Sequence, residues 1–429
     1  MGGGISGLSA ALHLHRAGYA VEVVERDQAL GGRMGVGRLG ERDVMLGGKS
    51  VGRKYTAFRG FTGALGDHPY EPFGINASRI KDGEVLTIDS TRRARSLRHL
   101  RRMGRTRDLL KLARLANRIR NDPDSRFLGA PSFAELGRRS DAAPLSSHFG
   151  RELTGTLLRP MTVRMNGAEP DEVYLGTFNT NLAQLMDSYD QLVHGIQPVL
   201  AALAERVDVR LNARAESLVV ADGRVVGLRI SDTGAEPVEH RYDGVVVAAP
   251  APAAADLVRA DLPELGKRLG EVRYFPATVA VVEYAGPVFG PDVRSLALDD
   301  GPCSDAAAYG MRDRHLVRYT FSGRDGRVPD PAPERLAAWI AETERRLVVY
   351  LGGTMPARVR QVDRHWEAGY CAYVPFVGDF LADVRQAVAG LPGLELAGDY
   401  LWGIDLEACA RSGVDASTRM HAYLAGTGR

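Results

Sequence analysis

Apolar and polar positions along the chain follow helical spacing in some segments and strand spacing in others. Residues 2–25 combine a glycine-rich turn, an apolar stripe at helical spacing and a short apolar run, which predicts a turn, a helix and a strand. Residues 91–120 and 133–205 have mostly helical patterns, and the second region ends in an apolar stretch at 192–204. The first half of the chain is therefore predicted to be rich in helices.

Strand patterns dominate the middle of the chain. Residues 221–224 have the composition of a hairpin turn, and the Pro/Ala-rich stretch 248–255 is interpreted as a connector. The predicted strands are 207–211, 215–220, 225–230 and 242–249. Strands of one domain are thus expected to come from separate parts of the chain.

The C-terminal part predicts a second sheet and two helices. Residues 271–284 and 314–321 have strand patterns, and 332–351 has the pattern of an amphipathic helix. A short strand at 393–399 and a final helix at 404–424 complete the prediction. The alternation of helices and strands indicates an α/β protein.

Charge is unevenly distributed in this chain of 429 residues, whose formal net charge is only +2. The length predicts two or three domains. Between Arg92 and Arg120 there are eleven Arg and one Lys against a single acid, so this segment carries +11 and the remainder −9. A nucleic-acid-binding role is not expected, since no recognition module accompanies the charge.

Three interpretations of the basic segment 92–120 stay open. It can be a solvated arginine face, a peripheral helix that contacts anionic lipid through its amphipathic leucine stripe, or a docking surface for an acidic partner. No apolar run has the roughly 18 residues that a membrane-spanning helix needs, and no signal peptide is visible. Three widely spaced Cys suggest neither disulfides nor a metal site, so a cytoplasmic location is expected.

The sharpest motif is the glycine pattern Gly2, Gly4 and Gly7, followed by a helix, a strand and Glu25. Glycines let the backbone approach a pyrophosphate at a helix N-terminus, and an acid about 20 residues later binds ribose hydroxyls. NAD(P) is one dinucleotide that would suit this pattern, and Arg26 would then bind the 2′-phosphate of NADP. The pattern predicts dinucleotide binding.

The buried strand that precedes such a motif has no counterpart before Met1. We expect this first strand to be missing from the chain as written, because the sequence begins too late. The alternatives are a shortened chain or another segment in the gap. A chain without the strand is expected to bind its dinucleotide weakly.

Further blocks resemble the FAD-dependent amine oxidase, protoporphyrinogen oxidase and phytoene desaturase superfamily. They follow the glycine motif in the family's order over nearly the whole chain. The blocks are Leu30–Arg33, Leu46–Lys49, Leu211–Leu218, Asp243–Pro250, Leu396–Asp399 and Leu406–Gly413.

The resemblance implies a fold, a cofactor and a domain division. The expected fold is a discontinuous Rossmann-like FAD-binding domain with an α+β substrate domain built on an antiparallel sheet. The FAD-binding domain would comprise 1–75, 195–260 and 385–429. The substrate domain would comprise 76–194 and 261–384, with a largely helical insert at 91–194.

The resemblance also implies roles for individual residues. Glu25 would bind the adenosine ribose, Arg33 would supply charge near phosphate, and the final helix would direct its N-terminus at the flavin. The implied cofactor-binding residues are Gly2, Gly4, Gly7, Glu25, Arg26, Gly32, Arg33, Gly47, Gly48, Ala215, Gly398, Asp399 and Leu406.

The chemistry is less defined than the cofactor. Amine oxidases of this superfamily commonly carry a lysine near the flavin, in a strand of the substrate domain. The comparable stretch here, residues 274–282, contains no lysine. The resemblance therefore favours removal of hydride equivalents from a C–N or C–C bond of a small organic, in some relatives apolar, biosynthetic substrate. A flavin-dependent isomerase without net redox turnover is the alternative. Lys49 and Tyr373 are weak catalytic candidates, and Cys371 is a weak candidate for a covalent flavin link.

Overall fold

The computed structural model describes residues 1–73, 76–89, 92–299 and 301–426. The helices are α1 (Ile5–Arg16), α2 (Ala57–Gly63), α3 (Arg93–Arg101), α4 (Thr106–Asn121), α5 (Pro131–Ser140), α6 (Arg151–Leu153), α7 (Arg159–Asn166), α8 (Phe178–Leu185), α9 (Gln197–Ala204), α10 (Ala251–Val258), α11 (Pro263–Gly270), α12 (Pro333–Leu351), α13 (Val377–Ala389), α14 (Asp399–Trp402) and α15 (Leu406–Gly426). The strands are β1 (Glu22–Val24), β2 (Val36–Leu39), β3 (Arg42–Met45), β4 (Val51–Gly52), β5 (Tyr70–Pro72), β6 (Asn76–Lys81), β7 (Glu84–Asp89), β8 (Tyr189–Leu192), β9 (Asp208–Arg210), β10 (Ala213–Ala221), β11 (Arg224–Asp232), β12 (Val238–Arg241), β13 (Val245–Val247), β14 (Arg273–Tyr284), β15 (Ser295–Ala297), β16 (Cys303–Ala308), β17 (Leu316–Phe321), β18 (Arg358–Tyr373) and β19 (Leu394–Leu396).

Two parallel strand pairs, β1 with β9 and β13 with β19, flank the first two residues. The amino terminus of Met1 donates to the carbonyl of Val246, and its own carbonyl accepts from the N–H of Ala248. Gly2 N donates to the carbonyl of Val24 at 2.8 Å. Backbone from residues 1–2 therefore bridges the two pairs, at the place where the sequence pattern predicts a missing strand.

Helices α1 and α15 pack directly against each other. Ser9 Oγ on α1 donates to the carbonyl of Ala410 on α15 at 3.0 Å. A methyl group on Gly413 would overlap the carbonyl oxygen of Ser6. The glycine therefore allows the two backbones to approach each other, which holds the chain's first helix on its last.

A seven-stranded sheet forms the second large layer, in the order β18-β14-β17-β16-β15-β6-β7. Successive side chains of β17 point to opposite faces of the sheet. Val317, Tyr319 and Phe321 pack in a core with helix α12, whereas Arg318 and Thr320 point to the opposite side and line a cavity. The sheet is mixed, because β15 pairs with β6 in parallel while the other neighbours are antiparallel.

One local prediction was wrong, and strands β8 and β18 were not predicted. The stretch 248–255 is mainly helix α10 rather than a connector, because alanine favours helices and proline is tolerated in a first turn. The mostly helical region 133–205 contains strand β8, which pairs with β4 and β5. The sequence pattern also missed β18, since its mixed polar residues lack a regular apolar alternation.

Helix α4 of the basic segment packs most of its apolar side against the rest of the protein. Leu112, Leu115 and Ile119 of α4 are buried in a core cluster with Phe178, whereas Leu110 is 54% exposed. The leucine stripe of α4 therefore packs mainly against protein, whereas Leu97 of α3 is 50% exposed like Leu110. Among the described residues, no helix combines the length and apolar character needed to cross a bilayer.

The close packing of α1 on α15 predicts a specific loss of stability. Gly413→Ala should lower the free energy of unfolding by about 1–3 kcal/mol, because the added methyl group overlaps backbone. Gly60→Ala in helix α2 is the matched control, since an added methyl there meets no atom within 4 Å. Urea titration followed by circular dichroism compares the two. Equal stability of both variants would contradict the packing argument.

Candidate active site

A cavity of about 370 Å³ lies between the glycine turn and the seven-stranded sheet. Segments that are distant in sequence meet on its wall. Among them are Gly4, Arg33, Gly48, Arg318, Cys371 and Leu406. The cavity therefore joins most of the blocks that the sequence analysis singled out.

The three motif glycines have different local roles. Gly2 has a φ of +100°, and a methyl group on Gly7 would overlap the carbonyl of Gly2. Gly4 differs, because an added methyl there meets no protein atom within 4 Å and the residue lines the cavity. Gly4, Ile5 and Ser6 place the start of the 12-residue helix α1 on the cavity wall, where free N–H groups and the helix dipole favour an anion.

Glu25 fixes the same turn from behind. Its carboxylate accepts hydrogen bonds from Gly3 N at 2.5 Å and from Asp27 N at 2.9 Å, and the residue is buried. Each carboxylate oxygen retains capacity for a further donor. Arg26 has a side chain that is 68% exposed and lies 3.6 Å from Asp27. Neither Glu25 nor Arg26 lines the cavity.

The second glycine block packs on the first. Gly31 has a φ of +112°, and its N–H donates to the carbonyl of Gly3 at 2.8 Å. A methyl group on Gly32 would lie 3.3 Å from the Cα of Gly4. The two turns are therefore in backbone contact, which explains why both need glycine.

The third block surrounds Arg33. Gly48 N donates to the Arg33 carbonyl at 3.1 Å, and a methyl group on Gly47 would overlap that carbonyl. The Arg33 guanidinium donates to Asp399 at 2.6 Å, and Tyr274 OH donates to the other oxygen of Asp399 at 2.5 Å. Burial, followed by the charge of Asp399, raises the pKa of Tyr274 well above its usual range. Asp399 is thus buried behind Arg33, which itself reaches the cavity.

Helix α15 begins at the cavity with Leu406. The side chain of Asp405 accepts from Ala408 N at 2.7 Å, and Arg126 lies 3.4 Å from the same carboxylate. Burial raises the pKa of Asp405. Gly398, which also lines the cavity, donates its N–H to Ser412 Oγ of α15 at 2.9 Å. The two C-terminal sequence blocks therefore form one corner of the site.

Lys49 is a buried cavity residue without a carboxylate partner among the described residues. Its ammonium donates to Gln191 Oε1 at 2.9 Å and to the Tyr309 carbonyl, and it lies 3.8 Å from the centre of the Tyr309 ring. Burial, followed by the charge of Arg318, lowers the pKa of Lys49 well below its usual range. A lysine in this setting holds its amine neutral at physiological pH more readily than a solvated one does.

Other predicted residues lie off the cavity wall. Tyr373 is buried with a φ of +60°, and its hydroxyl has no hydrogen-bond partner in the described part of the chain. Ala215 is buried in β10. Neither of these two lines the cavity, whereas Cys371 does. Burial raises the pKa of the Cys371 thiol well above its usual range, which makes it a poor nucleophile.

The sequence analysis did not identify the basic residues on the substrate side of the cavity. They belong to no motif and lie on separate elements. They are Arg79, Arg164, Arg294 and Arg318. The one local signal was the alternation of Arg318 and Thr320 with three apolar residues in β17, which marks a polar-lined face of the sheet.

Solved structures of flavoenzymes share this fold at low sequence identity. A protein from Exiguobacterium sp. 255-15 assigned as a protoporphyrinogen oxidase is 19% identical, with a TM-score of 0.70 over 98% of this chain and 97% of its own. Cyclohexylamine oxidase from Brevibacterium oxydans is 18% identical, with a TM-score of 0.74 over 99% and 98%. A fatty acid isomerase from P. acnes that produces CLA is 15% identical, with a TM-score of 0.71 over 97% of each chain.

A sequence profile gives the family itself. The profile of flavin-containing amine oxidoreductases matches residues 5–421, which is nearly the whole chain. The match begins at Ile5, directly after Gly4, and runs into the final helix, so it includes the later blocks that meet at the cavity. The protein is therefore a member of the flavin-containing amine oxidoreductase family, with FAD as its cofactor.

Proposed function

We propose that the chain binds FAD along the cavity and removes hydride equivalents from a C–N or C–C bond of a small organic substrate. The observation that carries this proposal is the position of the cavity, which runs from Gly4 at the start of α1 to Leu406 at the start of α15. A dinucleotide needs a phosphate site at one helix and a flavin site elsewhere. The two helix N-termini supply favourable electrostatics for both.

The residues fit FAD by a direct steric criterion. Only one of the three motif glycines, Gly4, leaves space on the cavity side, and that is the position where a pyrophosphate approaches backbone. Gly31 and Gly48 widen the same wall. We assign the pyrophosphate to this turn and the adenosine ribose to Glu25, whose carboxylate would accept from the hydroxyls.

Arg33 is assigned to charge stabilisation near the cofactor. Its guanidinium is held at 2.6 Å by Asp399, so its remaining donors stay oriented toward the cavity. Asp399 is therefore proposed to position Arg33 rather than to contact the cofactor through both of its oxygens. This differs from the direct contact that the family resemblance implied.

The domain division remains a proposal. We assign 1–75, 195–260 and 385–429 to FAD binding, because the two parallel strand pairs and helices α1 and α15 lie in these segments. The other segments, 76–194 and 261–384, carry the seven-stranded sheet and most of the remaining helices. Strand β8 of the second group pairs with β4 and β5 of the first, so the division crosses one small sheet.

The chain supplies positioning and proton chemistry around the substrate. FAD, when bound, accepts the hydride equivalent. Lys49 is the stronger of the two catalytic candidates, because it lines the cavity and its lowered pKa suits a neutral amine that takes up a proton. Tyr373 is the weaker one, since it lies behind the wall.

A second candidate function is an isomerisation without net redox turnover. The specific observation in its favour is the whole-chain structural similarity to the fatty acid isomerase. The same cavity serves both functions, because each needs FAD beside an enclosed substrate. The two differ in whether electrons leave the protein.

A matched pair of variants tests the cofactor assignment. Glu25→Gln should lower the fraction of purified protein that carries FAD, because an amide accepts fewer hydrogen bonds than a carboxylate. Glu22→Gln in β1, three residues earlier, is the control, since Glu22 accepts from Tyr242 instead. Flavin absorbance per protein after gel filtration is the measurement. Full occupancy in Glu25→Gln would contradict the assignment.

The protonation of Lys49 predicts a pH dependence of stability. The unfolded chain keeps the lysine protonated to about pH 10, whereas the folded protein releases the proton earlier, so the unfolded state binds more protons in between. Relative to Lys49→Met, the unaltered protein should therefore gain stability as pH rises from neutrality toward 10, by at most about 1.4 kcal/mol per pH unit. Urea titrations of both proteins give this difference, and a flat difference would show a lysine that stays charged when folded.

Anaerobic spectroscopy separates the two functions. Addition of a true substrate to the flavin-loaded oxidoreductase should bleach the visible flavin absorbance, which should return when an electron acceptor is added. An isomerase should convert its substrate with no lasting bleaching and should require prior reduction with dithionite. A colourless protein that regains no flavin on incubation with FAD would contradict both.

A further inference from the structure

The substrate side of the cavity carries more positive charge than the cofactor assignment uses. Its arginines come from strands β6 and β17, from helix α7 and from the residue before β15. Three of them face carboxylates. These pairs are Arg79 with Asp299, Arg294 with Asp89 at 3.6 Å, and Arg164 with Asp305 at 3.7 Å.

Arg318 forms no ion pair with a carboxylate of the described residues, although the charge of Asp305 acts on it from farther away. Its guanidinium donates to the carbonyl of Leu46 at 3.0 Å, and its Nε donates to nothing in the part of the chain that the structure describes. The backbone of Arg318 is held between Val281 of β14 and Ala307 of β16, in the middle of the sheet. An arginine cannot lose its proton in a protein, so this is a permanent charge facing an enclosed space.

Lys49 also lines this cavity. Arg318 donates to the carbonyl of Leu46, three residues before Lys49, and the repulsion between the two charges contributes to the lowered pKa of Lys49. The other charges that act on Lys49 are those of Arg42, Asp313 and Glu71. Arg42 and Asp313 already pair with each other at 2.6 Å, and Glu71 accepts from Gln191. Within the described residues, this leaves the permanent charge of Arg318 and the amine of Lys49 without a carboxylate in a direct ion pair.

This excess of buried positive charge is unfavourable in the protein without a bound ligand. An uncompensated charge in an enclosed site costs free energy, and an anion that pairs with it recovers much of that cost. A protonated amine in the same place would be repelled. One part of the cavity wall carries a group of apolar side chains, which includes Ile88, Met103, Leu157 and Met161.

Resting on the proposed function, we infer that the substrate is an organic monocarboxylate whose acid group binds between Arg318 and Lys49. Its apolar body would occupy the part of the cavity lined by leucine, isoleucine and methionine. A single carboxylate matches one permanent charge, and the planar guanidinium suits its two oxygens. The carboxylate anchors the substrate and takes no part in the bond changes, so in this binding mode Lys49 is an anchoring residue instead of the proton acceptor considered above.

Binding of matched probes to the flavin-loaded protein tests this inference. Octanoate, octylamine and 1-octanol share an apolar chain and differ in the end group. We expect calorimetry to give octanoate a dissociation constant at least tenfold lower than either of the others at neutral pH. Arg318→Met should remove this preference, and Arg318→Lys should retain part of it because the charge remains.

The control is an arginine substitution at a position outside the cavity. Arg360→Met alters strand β18 at a side chain that is 53% exposed, and the preference for octanoate should survive it. If Arg318→Met does not fold, as judged by circular dichroism, Lys49→Gln replaces it and should weaken octanoate binding at least threefold. Added chloride should also compete with octanoate but leave octanol binding unchanged.

The outcomes separate this inference from the proposed function. Flavin content is measured first, and protein that cannot be loaded with FAD counts against the function itself. In flavin-loaded protein, octylamine binding as tight as octanoate overturns the substrate class. Millimolar or weaker octanoate binding, or a preference that survives in Arg318→Met, overturns it too.

Discussion

Backbone packs directly against backbone at residues 2–7, and the rest of the site depends on this contact. Gly7 leaves no room for a side chain beside the Gly2 carbonyl, and Gly31 donates to the Gly3 carbonyl. Because the turn is enclosed by protein on these sides, the surface at Gly4 is the one left open. The same turn bridges two parallel strand pairs and starts the helix that packs on α15. A cofactor site at Gly4 is therefore tied to the core of the fold.

Buried charges divide into two groups with different consequences. Glu25 and Asp399 accept hydrogen bonds that organise the site, from the backbone N–H groups of Gly3 and Asp27 in the case of Glu25 and from Arg33 and Tyr274 in the case of Asp399. Such satisfied groups rigidify a site. Arg318 and Lys49 have carbonyl and amide acceptors, and no carboxylate of the described residues forms an ion pair with either. The first group supports the proposed cofactor site. The second group gives the cavity a preference for anionic ligands.

Local patterns predicted much of the framework. The helix at 5–16, the hairpin between β10 and β11 and the long helix at 333–351 follow from periodicity and turn residues, which act over a few positions. Strand β18 and helix α10 were missed, because the first is stabilised by its long pairing with β14 and the second by alanine packed in the core. The family resemblance supplied the cofactor, since its blocks are short and contiguous. Of the predicted cofactor residues, Gly4, Arg33, Gly47, Gly48, Gly398 and Leu406 line the cavity.

The sequence by itself determined the glycine positions, the main helices and strands, and the family, because each rests on contiguous residues whose spacing carries the information. Only the tertiary structure decided that Asp399 lies behind Arg33, that Met1 and Gly2 bridge two strand pairs, and that Arg318 forms no ion pair in the described part of the chain. These features depend on residues far apart in the chain. Pairing of charges is a property of three-dimensional neighbours, and a linear pattern of arginines does not reveal which of them will be left unpaired.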